Sequence, residues 1–436
     1  MKRKSERPLE EASEAVSVLR NHNFNRLWGA QVLSQIAQNL LNFALIIRVF
    51  QLAQGTRFAN ISVALLILSF GIPSIIFAAA AGVYVDHWNK KIVLVAANFA
   101  RAVLVLGYLI FGHDLALVLL LSFIISSVTQ FFAPAESATI PALVSDKQLL
   151  RANSLFIFTL YASFIVGYSA SAPVIDIFGV SGPYYLTAVM FCVAGVLVSF
   201  LPSLHIKESL GMPFKQIVSF TRRELSRNWE LIRTNRNLSF PITQLTITQA
   251  SLGVLLALAP ALSVALLHVQ IQDAAHVLII PAGLGMILGV VLIGRLVDRW
   301  SKMRVISVGL IIAGAALILL GLAVLLRHMV HGHQLASEAQ ISIFVAAVIL
   351  ALGFMNAVVS VASQTILQEN TTDETRGKVF GALNMMINIA ATLPILFAAT
   401  LADLTSVNQV IGGLGVLMLI FALFQYRVQK RRKLLA

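Results

Sequence analysis

The chain has 436 residues, of which 58% are hydrophobic and only 12% charged, and its formal net charge is +13. An ordinary soluble chain is about 45–50% apolar and about 25% charged. The composition therefore excludes a typical soluble protein and a disordered chain, and the lone Cys192 excludes a disulfide scaffold.

Long apolar runs separated by short polar loops extend from residue 25 to residue 426. None of them alternates as the strands of a membrane barrel do. Because the backbone must satisfy its own hydrogen bonds in lipid, runs of about 20 apolar residues are predicted to be helices. The sequence thus predicts an all-α membrane protein with twelve spans, at 25–53, 60–85, 92–112, 115–135, 154–178, 182–202, 238–268, 276–297, 304–326, 340–366, 378–402 and 406–426.

The basic residues predict the orientation of these spans. Most of the 32 lysines and arginines lie in the two tails, in the long central loop and in the loops after the even-numbered spans. The positive-inside rule therefore places both termini in the cytoplasm. The basic run 427–433 is interpreted as an anchor to anionic lipid rather than as a nucleic-acid patch, so no nucleic-acid partner is expected.

The chain contains an internal copy of itself. Gly82, Asp86, Trp88 and Lys90 after the second span recur at the same spacing as Gly294, Asp298, Trp300 and Lys302 after the eighth. A repeat of this kind is typical of transporters built from two parallel six-helix halves.

The two G-x-x-x-D-x-x-x-K loops resemble the signature of the major facilitator superfamily. Three further segments, Pro141–Val144, Arg151–Ser154 and Arg376–Gly381, resemble its drug:proton antiporter branch, which includes macrolide and enterobactin exporters. The resemblance implies the major facilitator fold. The predicted parts are a cytoplasmic tail at 1–23, a six-helix half at 24–202, a cytoplasmic loop with a basic amphipathic helix at 203–237, a second half at 238–426 and a basic tail at 427–436.

The resemblance also implies a cytoplasmic gate in the two signature loops. Asp86 is expected to meet the beginning of span eleven at 377–380, and Asp298 the beginning of span five, when the cytoplasmic side is closed. Helix amino-termini attract carboxylates, so these contacts would favour the outward-open state. A solvated loop that only sets topology is the alternative. The predicted gating residues are Gly82, Asp86, Lys90, Lys91, Gly294, Asp298, Arg299 and Lys302.

One family motif is eroded in this chain. The antiporter motif of span five requires Gly-Pro, but Gly167 is followed here by Tyr168. This motif therefore does not support export over import.

Polar residues at helical spacing mark spans one, four, seven and ten, which line the central cavity in the resembled superfamily. Polar side chains inside a membrane are costly and tend to face a cavity or another helix. Both readings are open for each stripe, and the four together favour a substrate cavity. The predicted cavity residues are Gln31, Gln35, Gln38, Asn42, Arg101, Ser122, Ser126, Thr129, Gln244, Thr248, Ser251, Asn356, Ser360 and Ser363.

Arg101 lies near the middle of span three, where an unpaired charge is expensive. Many relatives carry an acid in span one where this chain has Gln38, so the obvious partner and proton carrier is missing. In one interpretation Arg101 bonds to carbonyls or to a span-end acid, Glu136 or Asp114, and holds structure. In the other it binds an anionic group of the substrate.

These observations predict a secondary transporter of the plasma membrane that alternates access around a polar cavity, works as a monomer and contacts membrane lipids. The resemblance implies that it exports hydrophobic or amphiphilic small molecules in exchange for protons. Export or flipping of an anionic amphiphile, such as a siderophore or lysophospholipid, is the alternative, and a non-transporting receptor or scaffold is a third possibility. No catalytic set is found, so an enzyme is not expected, and no cofactor is expected. His328, His331 and His333 fit a solvated loop better than a metal site.

Overall fold

The computed structural model describes residues 18–203, 236–267, 278–329, 338–370 and 392–433. Within these ranges the chain forms helices joined by short turns, and no strand is present. The helices are α1 His22–Ala53, α2 Ala59–His87, α3 Lys90–Phe111, α4 Leu115–Leu143, α5 Asp146–Phe178, α6 Gly182–Ser199, α7 Arg236–Leu267, α8 Ile280–Arg299, α9 Lys302–Met329, α10 Glu338–Glu369, α11 Thr392–Leu404 and α12 Val407–Lys433.

Eleven of the helices in the described ranges are long and apolar enough to cross a membrane. The exception is α11, whose predicted first part lies outside the described residues. The prediction of an all-α membrane protein with twelve helices is therefore confirmed. The prediction succeeded because a long apolar run is the most direct indication of a membrane-spanning helix that a sequence contains.

Three helices are clearly longer than the hydropathy pattern predicts, and one of them, α12, continues to Lys433, beyond the predicted end at 426 and into the predicted basic tail. The fourth continues to Leu143, beyond the predicted end at 135, even though Pro134 and Pro141 lie inside it. The fifth begins at Asp146 rather than 154, after Ser145, whose backbone N–H donates to the Gln148 side chain at 3.4 Å. Hydropathy detects only the apolar part of a helix, so it missed these more polar extensions.

The chain divides into two compact units. The first contains 1–44 and 72–221, and the second contains 45–71 and 222–436. In the first unit α3 packs on α4 and α6, and in the second α9 packs on α10 and α12 in the same way. The internal copy seen in the sequence thus recurs as the same packing of corresponding helices. The beginning of α2 clusters with the second unit, whereas the sequence places it in the first half.

An apolar cluster occupies the first unit, contributed by α1, α3, α4, α5 and α6. Phe24, Leu27, Leu94, Ala135 and Val198 are among its fully buried members. This cluster surrounds the polar residues of α3 and α4 that are described below.

Close backbone contact holds the second unit together. A Cβ added at Gly285 of α8 would lie 2.0 Å from the Leu350 carbonyl oxygen of α10, and one at Gly353 would lie 2.1 Å from the Ala282 oxygen. The backbones of α9 and α12 also meet at two glycines. A Cβ added at Gly314 would lie 3.0 Å from the Gly415 carbonyl oxygen, and one at Gly415 would lie 2.8 Å from the Gly314 carbonyl oxygen. Small residues allow membrane helices to pack in this way, since lipid supplies no hydrophobic drive for helix association.

Candidate functional site

The polar stripe of α1 is used partly for contacts inside the first unit. Gln31 is buried and its Nε2 donates to the Phe156 carbonyl oxygen of α5 at 3.3 Å, while its Oε1 has no partner. Gln38 donates to Asn42 one turn further along, at 2.8 Å, and Gln35 is half-buried. The unpaired oxygen of Gln31 remains available to accept a hydrogen bond.

Arg101 of α3 is 2% exposed and is enclosed by two aromatic rings. Its guanidinium carbon lies 4.4 Å from the ring centres of both Phe132 on α4 and Phe191 on α6. Its Nε donates to the Ala97 carbonyl oxygen at 3.2 Å, and its Nη2 donates to Asn98 Oδ1 at 2.7 Å. Ring faces attract a cation, and this attraction grows when water is excluded.

Asn98 is the residue that orients Arg101. It is fully buried, and its Oδ1 also accepts from Ser34 Oγ of α1 at 3.0 Å. Its Nδ2 donates to the Leu94 carbonyl oxygen at 3.1 Å. Sequence analysis did not predict this role, because a lone Asn in a span does not reveal its partner.

Of the two acids considered as partners of Arg101, Asp114 is used elsewhere. It caps α4 by accepting from the Leu117 N–H at 3.0 Å. Glu136 of α4 is 8% exposed and interacts electrostatically with Arg101. The contacts of Arg101 with carbonyls, rings and Glu136 therefore support the structural interpretation more than substrate binding.

The predicted cavity residues of α4 form hydrogen bonds largely within their own helix. Ser122 shares a hydrogen bond of 2.8 Å with the Tyr108 hydroxyl and donates to the Val118 carbonyl oxygen. Thr129 donates to the Ile125 oxygen at 2.9 Å, and Ser126 is buried. A hydroxyl that donates to the carbonyl four residues earlier has used its only donor and can only accept a further hydrogen bond, so Ser122 and Thr129 offer a ligand no donor.

The second unit contains a cavity of about 80 Å³. Thr248 and Ser251 of α7 and Asn356 of α10, three of the residues predicted for the substrate cavity, line it. The rest of its wall is apolar and comes from α7, α8, α9, α10 and α12, including the flexible side chains of Met286, Met355 and Met418.

Three further predicted cavity residues are buried with unsatisfied polar atoms. Both amide atoms of Gln244 lack a partner, as do the hydroxyls of Ser360 and Ser363. Gln244 and Ser363 are fully buried. Buried polar atoms are nearly always paired, so these groups fit bonding to water or to a ligand. The joining of all four stripes into one central cavity stays a prediction.

The first signature loop follows the expected course along the backbone. Gly82 and Asp86 lie in the last two turns of α2, and Lys90 and Lys91 begin α3. Asn89 caps α3 by accepting from the Lys91 N–H at 3.1 Å. The partner expected for Asp86, at 377–380, lies outside the described residues, so this gate contact stays a prediction.

In the second loop Asp298 and the exposed Arg299 end α8, and Lys302 begins α9. Lys302 forms an ion pair with Glu369 at the end of α10. A Cβ at Gly294 would meet nothing within 4 Å. This loop is thus joined to α10 in the second unit, and its gate role stays a prediction.

Asp403 forms a contact that the sequence analysis missed. Its Oδ1 accepts from the Asn60 N–H at 3.1 Å and from Asn60 Nδ2 at 2.7 Å, and its Oδ2 accepts from the Ile61 N–H at 2.9 Å. It thereby caps the beginning of α2, a helix far away in sequence. Its position near the end of span eleven was the only signal, and this position does not name a partner.

Several predicted features lie outside the described residues. They are the amphipathic helix of the central loop, the segment 371–391, and His331 and His333; His328 lies in α9, but its side chain is not described. In the described part of the chain no group of three or more His, Cys, Asp or Glu is arranged to hold a metal.

Known proteins are similar to this chain in sequence, and solved structures are similar to it in fold. The family model described as Major Facilitator Superfamily matches residues 27–332 and 250–435. Macrolide efflux protein A of Streptococcus pyogenes is 24% identical over 420 residues, covering 94% of this chain and 97% of the relative. The MFS-type transporter YfiS of Bacillus subtilis is 23% identical over 407 residues, covering 89% and 90%.

Solved structures agree on the fold. The POT family transporter PepTSo superposes with a TM-score of 0.71 at 12% identity, covering 94% of this chain and 99% of that protein. The nucleoside transporter NupG gives a TM-score of 0.68 at 13% identity, covering 92% and 99%. At such low identity these two structures speak for the fold alone. Together with the family model, they show that this chain is a multi-pass membrane protein that belongs to the Major Facilitator Superfamily.

Proposed function

We propose that this chain is a secondary active transporter that exports hydrophobic or amphiphilic small molecules, macrolides among them, across the plasma membrane in exchange for protons. It works by alternating access, as a monomer with both termini in the cytoplasm. The relationship to Macrolide efflux protein A over nearly the whole length of both chains supports this substrate class. The basic residues of the tails and central loop support the orientation.

The observation that carries the proposal is the cavity of the second unit. Its volume in this conformation is about 80 Å³, below the roughly 300–1,000 Å³ of sites that enclose drug-sized molecules, so a ligand would bind once the helices of its wall move apart. Apolar side chains form most of the wall, and Ser251 and Asn356 place a few polar groups on it. Methionine side chains adapt to ligands of different shape. The wall therefore suits an amphiphile whose apolar part provides most of the contact.

The chemistry of Arg101 weighs against an exporter of anions. Its guanidinium lies over the rings of Phe132 and Phe191, and one of its N–H groups donates to Asn98. A substrate anion would have to displace these contacts.

A binding measurement distinguishes an exporter of anions from an exporter of other amphiphiles. It compares lysophosphatidylcholine with lysophosphatidylglycerol on purified protein, since only the second lipid carries a net negative charge. Tighter binding of the anionic lipid that is lost in Arg101→Gln would favour the anion exporter.

Narrowing the cavity is expected to abolish export. Leu255 of α7 lines the cavity and is half-buried, so Leu255→Trp would fill space that a ligand needs. We expect at least a tenfold loss in the rate of radiolabelled erythromycin uptake into inside-out proteoliposomes with an acidic lumen. A tenfold loss corresponds to about 1.4 kcal/mol of lost interaction.

Leu284→Trp is the matched control, because Leu284 is 47% exposed on α8 and does not line the cavity. This variant should retain the wild-type rate. Uptake must stop when an ionophore collapses the pH gradient. A wild-type protein that moves no erythromycin, with or without a gradient, would contradict the proposal and favour the receptor or scaffold.

A further inference from the structure

We infer that Glu136 is the residue that binds the coupling proton, with Arg101 as its counter-charge. This inference rests on the proposed function and names the coupling site within it. Neither α1 nor α3 contains an Asp or Glu, so a proton-driven cycle in this unit needs a carboxyl on another helix. Glu136 lies inside α4, in the first unit.

Glu136 is a buried carboxyl with an unsatisfied oxygen. It is 8% exposed, and its Oε1 is buried without a hydrogen-bond partner. Phe132, Ala135 and Ile140 of the same helix belong to the apolar cluster of the first unit. An ionised carboxylate in such surroundings is costly unless it is paired, whereas a bound proton removes the charge. The site is thus built for a group that exchanges a proton.

The counter-charge lies about one helical turn away. Phe132, whose ring covers Arg101, precedes Glu136 by four residues and shares its face of α4, a rise of about 6 Å. Arg101 and Glu136 interact electrostatically but form no direct ion pair, and both are described by the structure. The guanidinium is bonded instead to Asn98 and to the Ala97 carbonyl oxygen.

Arg101 is the charged residue that interacts electrostatically with Glu136. The remaining ionisable residues of α1, α3 and α5 lie mostly toward helix ends, at His22, Arg26, Arg48, Lys90, Lys91, Tyr108, Asp146, Lys147, Arg151 and Asp176, with Tyr161 and Tyr168 nearer the middle of α5. The charge on Glu136 therefore acts mainly on Arg101.

This arrangement gives two discrete states. With the proton bound, Glu136 is neutral and Arg101 keeps its contacts with Phe132, Phe191 and Asn98. When the proton leaves, the carboxylate attracts the guanidinium and competes with Asn98 for it. Because Asn98 also holds Ser34 of α1, loss of the proton changes a contact between α1 and α3. Such a difference in contacts is what a coupling ion needs to shift a conformational equilibrium.

Infrared spectroscopy of the full chain in lipid nanodiscs tests the inference without a substrate. We expect wild-type protein to show a carbonyl band of a protonated carboxylic acid near neutral pH, where exposed carboxyls are ionised. The band should be lost in Glu136→Gln. It should persist in Asp176→Asn, which alters an exposed acid at the end of α5. Glu136→Asp, which keeps a carboxyl, should keep a shifted band.

Transport gives the second readout. In proteoliposomes, Glu136→Gln should lose at least tenfold of gradient-driven erythromycin uptake but retain exchange of labelled for unlabelled erythromycin. A band that is unchanged in Glu136→Gln, or gradient-driven uptake that survives in this variant, would overturn the inference. Failure of the wild-type protein to move erythromycin would contradict the proposed function instead, and the infrared band would still decide whether Glu136 binds a proton. Circular dichroism and gel filtration verify that each variant is folded.

Discussion

The substitution Gly353→Ala is expected to destabilise the second unit by about 3 kcal/mol, the upper end of the range for overpacking. The added methyl group would lie 2.1 Å from the Ala282 carbonyl oxygen and 3.0 Å from the Ala282 Cα. Backbone atoms cannot rotate away as a side chain can, so α8 and α10 must separate. The apparent melting temperature of detergent-purified protein, followed by fluorescence-detected gel filtration, measures the loss.

Gly413→Ala is the matched control for this effect. A Cβ at Gly413 of α12 would meet nothing within 4 Å. Alanine favours a helix over glycine by up to about 1 kcal/mol, so this variant should be unchanged or slightly more stable. Equal melting temperatures for the two variants would show that α8 and α10 do not pack as closely as described.

Replacing Asp403 by alanine should release the beginning of α2. The substitution removes three hydrogen bonds and leaves the N–H groups of Asn60 and Ile61 without their acceptor. Hydrogen bonds to charged groups contribute about 1.5–3 kcal/mol each, but they are not additive. Since Asp403 is only half-buried, we expect a total loss of about 3 kcal/mol.

Cysteine labelling tests whether the loss of stability in Asp403→Ala occurs at the beginning of α2. In a Cys192→Ser background, a cysteine introduced by Ser62→Cys lies at a position that is 4% exposed and should react slowly with a maleimide. Addition of Asp403→Ala should increase its rate of labelling at least tenfold. Asp176→Ala, at an exposed acid near the end of α5, should leave the rate unchanged. Slow labelling in all variants would refute the capping role of Asp403.

The membrane spans were predicted correctly where one cost dominates, that of leaving backbone N–H and C=O groups without hydrogen bonds in lipid. A run such as 182–202 is apolar on every side, and no other structure satisfies its backbone in lipid, so α6 appears at Gly182–Ser199. Prediction failed at the polar ends of α4 and α5. There, α4 continues through Pro134 and Pro141. A capping box, rather than the apolar run, marks the beginning of α5.

Helical spacing identified candidate cavity residues but not their partners. Thr248, Ser251 and Asn356 do line a cavity of the second unit. Ser122, in an equally regular stripe, bonds instead to Tyr108 and to its own helix. The spacing of polar residues gives the face of a helix, whereas the neighbouring helix decides whether that face meets a ligand, a side chain or a carbonyl oxygen.

The sequence by itself determined the membrane environment, the number of helices, the two related halves and the family, because each depends on hydropathy or on motifs read along the chain. Tertiary structure alone decided that Arg101 lies between Phe132 and Phe191 and that Asp403 caps α2. It also decided that Glu136 is buried with an unpaired oxygen. These features depend on contacts between residues far apart in the chain, and the energy of a buried polar group is set by those contacts rather than by its sequence neighbours.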